Sequence, residues 1–239
     1  WHGIKPIGCS IGFIPVHLKI NDMKQSNSKK QNAGTKANST SANGTHKTTK
    51  QKQQNGVKTG NSLLEKFFTD QLKDIYYAEQ KITQSLPKMR EAATTDELKN
   101  AFEEHLHQTE RHVQRLEKVF QLLKKQPEGK KCEAIEGITK EAEEIIRETE
   151  QGTMTRDAAL IVAAQKVEHY EIASYGGLVQ LAITMGLENA ADILDKTLME
   201  EEDTDQLLTD IAENDINLGA EQEGNRYSWE TEEEKAVHA

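Results

Sequence analysis

The stretch FTDQLKDIYYAEQKITQSLPKM, residues 68–89, decides the fold. Phe68, Leu72, Ile75, Ile82, Leu86 and Met89 are spaced alternately four and three apart, with one gap. That spacing is the apolar seam of a packed helix. Glu79 fills the gap, where a leucine would complete the pattern. Three further segments repeat the design. One places His105, Thr109 and His112 in line with Leu98, Phe102, Leu116 and Leu123. Another runs Ile161, Ala164, Glu168, Glu171, Tyr175 and Leu178, and the last runs Ala191, Leu194, Leu198, Glu201, Asp205 and Leu208. Period-two alternation is absent throughout, so strands are not expected.

Each interruption falls near the middle of its helix. In an antiparallel bundle, mid-helix residues share one layer whichever way each helix runs, so these side chains are expected to converge. Buried carboxylates need a compensating positive charge, and several at one height point to a metal. Two adjacent divalent ions call for bridging carboxylates and one or two imidazoles. The candidate ligands are Glu79, His105, His112, Glu168, Glu171, Glu201 and Asp205, holding iron or manganese as one ion or a pair. The bland alternative is a set of core side chains hydrogen-bonded to one another. Tyr175 reads as core packing. The literal Glu104-x-x-His107 copy of the di-iron signature faces solvent in the register set by Phe102, Leu116 and Leu123.

Breaks divide the body into five helices: about 62–93, 96–124, 132–151, 154–185 and 188–213. Pro87 predicts a kink near Gln84, and Gln126-Pro127-Glu128-Gly129 is a turn. The expected fold is all-α, a ferritin-like antiparallel four-helix bundle over residues 61–217 with a short fifth helix in the crossover. Residues 23–60 hold eight lysines, no acid and almost nothing apolar, the composition of a disordered tail. Residues 1–22 carry +1 and that tail about +8, so the net −10 of the chain leaves residues 61–239 at −19. The tail could touch nucleic acid weakly and non-specifically, but a solubilising linker that the acidic body attracts is the favoured reading. Met23 is expected to be the native start, making residues 1–22 a non-native or unstructured extension. Residues 218–239 read as a disordered acidic tail. The two cysteines, Cys9 and Cys132, make no disulfide framework and no C-x-x-C, which excludes a four-thiolate iron site. Nothing is long and apolar enough for a membrane span, so the expected location is the cytoplasm.

The runs LKDIYYAEQKI (72–82), AFEEHLHQTERHVQRLEKVF (101–120), KCEAIEGITKEAEEII (131–146), RDAALIVAAQKVEHYEIASYGGL (156–178) and TLMEEEDTDQLLTDIA (197–212) closely resemble the bacterial YciF/YciE-like family of ferritin-like proteins. The resemblance covers about residues 61–217 and implies a rubrerythrin-like five-helix bundle, a homodimer and a link to stress responses, with no firmly assigned activity. It implies Glu79, Glu168, Glu171 and Glu201 as carboxylates of a metal layer. The chain departs from the family where relatives tend to read HLEET: here the run is His105-Leu106-His107-Gln108-Thr109, and Gln108 removes a charge. Two functions compete. One is a metal protein that consumes oxygen or peroxide; the other is a non-enzymatic stress protein whose polar layer only fixes helix register.

Overall fold

The computed structural model describes residues 62–223. The expectations for residues 1–22, for the lysine-rich tail and for the acidic end beyond residue 223 lie outside the described residues. Five α-helices form: α1 (Leu63–Ala92), α2 (Asp96–Leu122), α3 (Glu133–Glu148), α4 (Met154–Thr184) and α5 (Glu188–Ile211). Their ends follow local chemistry. Ser62 accepts the Glu65 N–H at 3.0 Å and Thr153 accepts the Arg156 N–H at 3.1 Å, each a side-chain cap for an orphan donor. Gly186 closes α4 with φ +71°, and the Leu187 N–H returns to the Ala182 carbonyl at 2.9 Å. A left-handed residue suits glycine here because it has no Cβ to clash. At the end of α2 the same turn is made by Lys124, φ 56°. α1 runs unbroken through Pro87.

α1 and α2 form one hairpin, α4 and α5 the other, and α2 lies against α5 while α1 lies against α4. Tyr175 meets Glu79 while Asp157 meets Thr94, so α4 runs antiparallel to α1. The chain must therefore return the length of the bundle between hairpins, and α3 makes that return, packed over the α1–α4 seam. One long crossover of this kind is the ferritin-like form of the four-helix bundle.

The start of α4 ties the pieces together. Asp157, fully buried, accepts the backbone N–H of Thr94 at 2.6 Å, that of Thr95 at 2.8 Å and the Thr95 hydroxyl at 2.8 Å, so it caps α2 from another helix. Its neighbour Arg156 donates to the carbonyls of Ile146 and Thr149 at the end of α3, where a cation complements exposed helix carbonyls.

The acidic end differs from expectation. Beyond α5 a π-helical turn, Ala212–Ile216, leads into helix through residue 223. Ile216 is buried, and Glu223 accepts the N–H of Met154 at 2.8 Å and of Thr155 at 3.1 Å, capping α4. Residues 218–223 are thus ordered because they supply a cap and cover the first turn of α4.

Candidate metal centre

Each helix of the bundle contributes its mid-seam polar residues to one layer. Glu79 comes from α1, His105 and His112 from α2, Glu168 and Glu171 from α4, and Glu201 from α5; all six are buried, none more than 3% exposed. They form two overlapping groups. One ligand atom each from His105, Glu168, Glu171 and Glu201 lie within 4.8 Å of one another, as do those from Glu79, His112 and Glu201. Glu201 belongs to both.

His112 is oriented through one ring nitrogen and has carboxylates close to the other. Its Nε2 is 2.8 Å from Glu200 Oε2, and Arg115 grips both oxygens of Glu200 at 2.6 and 2.8 Å. Its Nδ1 lies 2.9 Å from Glu201 Oε1 and 3.7 Å from Glu79 Oε1. Neither approach has the alignment of a hydrogen bond, so Nδ1 is an unpartnered buried atom despite two carboxylates close by. His105 is set the same way. Its Nε2 approaches Glu168 Oε1 at 3.2 Å without alignment, while Nδ1 is 3.4 Å from the Gln108 side-chain oxygen, which also accepts the Thr204 hydroxyl at 3.2 Å. Gln108 thus sits between His105 on its own helix and Thr204 of α5. Tyr175 donates a short hydrogen bond to Glu79 Oε1.

The layer's electrostatics are those of crowded acids. Burial and then repulsion from Glu201, Glu79 and Glu168 push the Glu171 carboxyl well above the usual range. Burial lifts Glu201 to about 7 against the opposing pull of His112. Burial disfavours the charged imidazoles, yet Glu168 carries His105 up to about 9, and Glu201 with Glu79 carries His112 to about 11. Glu200 resists partial burial and is held at about 2 by Arg115 and His112. Among the described residues, the buried side-chain atoms left without a hydrogen-bond partner are Glu79 Oε2, His105 Nε2, His112 Nδ1, Glu168 Oε2 and both oxygens of Glu171 and Glu201. All belong to these six residues. Buried polar atoms are seldom left so, and a cluster of oxygen and imidazole donors of this kind could hold a divalent cation.

Six of the seven candidate ligands converge. Asp205 is the correction: it lies one turn beyond Glu201 on the flank of α5, bonded to Gln165 at 3.3 Å and His169 at 3.2 Å. A residue four positions on is rotated by about 40° from its predecessor, enough here to leave the core. His107 and Glu104 face solvent, as their register requires. Tyr175 is more than core packing, since its hydroxyl fixes Glu79. Glu200 and Arg115 were hidden, because Glu200 reads as part of an exposed acidic run and only its partner on α2 reveals its role.

Fold and layer together define a helical-bundle protein with a carboxylate–histidine core. The chain belongs to the family described as Domain of unknown function (DUF892), whose pattern matches residues 63–221. Protein YciF of Escherichia coli (strain K12) is 45% identical over 159 residues, 66% of this chain and 95% of the relative. The crystal structure of the E. coli stress protein YciF matches with a TM-score of 0.63 at 44% identity, over 66% of this chain and 99% of that one. YcfI from Rhodopseudomonas palustris, whose description suggests a structural protein, matches with a TM-score of 0.61 at 39% identity, over 64% of this chain and 96% of that one. No helix among the described residues is long and apolar enough to cross a membrane.

Proposed function

We propose that the layer binds two divalent ions, iron or manganese, and that the protein consumes oxygen or peroxide as part of a stress response. The observation that carries this reading is the set of eight unpartnered buried atoms, all on these six side chains. Charge supports it. Four carboxylates balance two divalent ions with both histidines neutral, whereas without metal the same layer must take up protons. The donor set, oxygen-rich with two imidazoles and no thiolate, suits iron and manganese.

The chain's own residues have distinct tasks. Glu201, common to both groups, would be within reach of either ion. Glu200 receives the Nε2 proton of His112 and is itself locked by Arg115, leaving Nδ1 as the lone-pair face; such carboxylate–histidine partnerships fix ring orientation and raise ligand basicity. Gln108 does this more weakly for His105. Tyr175 occupies one oxygen of Glu79 and leaves the other free. Bound ions of this kind supply redox and Lewis-acid chemistry toward a small oxidant. Loading the purified protein with Fe(II) or Mn(II) and analysing bound metal should give close to two equivalents; less than one overturns the reading.

A second reading has a specific observation behind it: both histidines already sit beside carboxylates, and a relative is described as structural. In that case the layer only fixes helix register, and a thermal melt would not move with Fe(II) or Mn(II). A homodimer in the cytoplasm completes the proposal, and its mass in solution by light scattering is the check.

A further inference from the structure

The α1–α4 seam is not sealed evenly. Where α3 crosses it, a cleft lined by Ile82, Leu86, Met89, Ala142, Ala164 and Val167 ends on His105 and Glu168. Its space is small, about 10 Å³, near the lower limit for one water molecule. Two hydroxyls reach its wall, and the proton of each is already engaged. Ser85 donates to the Lys81 carbonyl at 3.1 Å and Thr139 to the Ile135 carbonyl at 2.8 Å, each within its own helix. A water in the cleft would therefore find no donor, and only these two hydroxyl oxygens as acceptors, until it reached the layer, and a water needs two to four partners. Ser85 is the half-buried member, marking the outer end, while Thr139, Ala142 and Ala164 are each no more than 4% exposed. The small side chains Ala142 of α3 and Ala164 of α4 both line the cleft, where a leucine would narrow it.

We infer that this cleft is a dry access route for an apolar diatomic gas, dioxygen in class, delivering it to the His105–Glu168 side of the layer. The inference rests on the metal-binding reading for its destination and narrows the oxidant from oxygen or peroxide to oxygen. Hydrogen peroxide would shed most of its hydrogen bonds to pass such a wall, which costs several kcal/mol in an apolar setting; dioxygen sheds none. The opposite side of the layer is filled instead, with Tyr175 packed against Glu79.

The test uses the full-length, metal-free protein, so that it does not depend on bound metal. Dissolved dioxygen is paramagnetic and relaxes the methyl protons it visits. Under oxygen pressure, the methyls of Ala142, Ala164 and Val167 should relax several-fold faster than those of Ala78 and Ala182, which are fully buried elsewhere. Equal enhancement at all five overturns the inference. Ala142→Leu should abolish the excess at Ala164 and Val167 while Mn(II) binding stays unchanged; an excess that persists also overturns it. If that variant fails to fold, the contrast within the unsubstituted protein still decides. A protein that binds no Mn(II) defeats the metal reading, whatever the methyls report.

Discussion

Arg115 holds Glu200 with two parallel hydrogen bonds, 2.6 and 2.8 Å, across the gap between α2 and α5. The bond fixes a carboxylate whose Oε2 also meets His112 Nε2, so it acts on the centre from one residue away. Removing such a partner typically weakens metal binding about 10- to 100-fold. Glu200→Gln should therefore lower Mn(II) affinity by about that factor and leave the far-ultraviolet dichroism intact. Titration calorimetry checks it, and an unchanged affinity would mean that His112 is no ligand.

The two histidines of the HLH run should behave oppositely. His105 is buried beside Glu168, whereas His107 is exposed and its nearest acid, Glu110, is 3.6 Å away on the same helix. His105→Ala is expected to reduce metal affinity steeply, and His107→Ala to leave it within experimental error. Competition with a fluorescent chelator measures both.

Metal uptake should also release protons at neutral pH. In the metal-free layer His105 is held up to about 9 and His112 to about 11, so both carry protons that a cation must displace. Apparent affinity should climb from about pH 6 to about pH 9, rather than levelling off just above the ordinary histidine range. Calorimetry in buffers of different ionisation enthalpy counts the protons released.

Without metal, stability should fall as pH rises. The folded-state values of His105, His112 and Glu201 are all raised above their ordinary ones, to about 9, 11 and 7. A raised group contributes stability that is complete below its unfolded value and is lost as pH climbs through the folded one. For Glu201 that window opens above 4.5 and for the histidines above 6.5. Glu200, depressed to about 2, acts in the other sense and contributes an acid limb between 4.5 and 2. Scanning calorimetry in chelator should show Tm dropping between about pH 6 and about pH 9; a flat profile would contradict the buried pairing.

Asp157 predicts an effect on stability alone. Replacing it with alanine leaves two backbone N–H groups and a hydroxyl without their acceptor. A buried unsatisfied donor costs about 1–3 kcal/mol. Thr94 and Thr95 are half-buried, so denaturant titration should show a loss of about that size, with metal affinity unchanged in the folded fraction.

Much of the core was legible because a seam residue is defined by its phase. Glu79, His105, His112, Glu168, Glu171 and Glu201 each replace an apolar residue at a position the period fixes, and all six are buried. Phase fails at the margins of the stripe. Asp205 shares Glu201's stripe in sequence but turns toward Gln165 and His169 on α4. Pairings across helices leave no periodic trace, which is why Arg115–Glu200 and Tyr175–Glu79 were out of reach. The helix through residue 223 escaped for a related reason: its acidic composition resembles a solvated tail, and the one residue that anchors it, Glu223, bonds a backbone 68 or more positions away.

The adjacent pair Arg156–Asp157 joins the chain over two very different separations. Arg156 closes a short segment back to Thr149, but Asp157 closes one of 63 residues back to Thr94. The near contact needs only the end of α3 and the first turn of α4, while the far one needs the first hairpin alongside. Two neighbouring side chains therefore close loops of very different length, and the longer closure, which carries the larger entropic cost, is the one that holds the first hairpin to the start of the second.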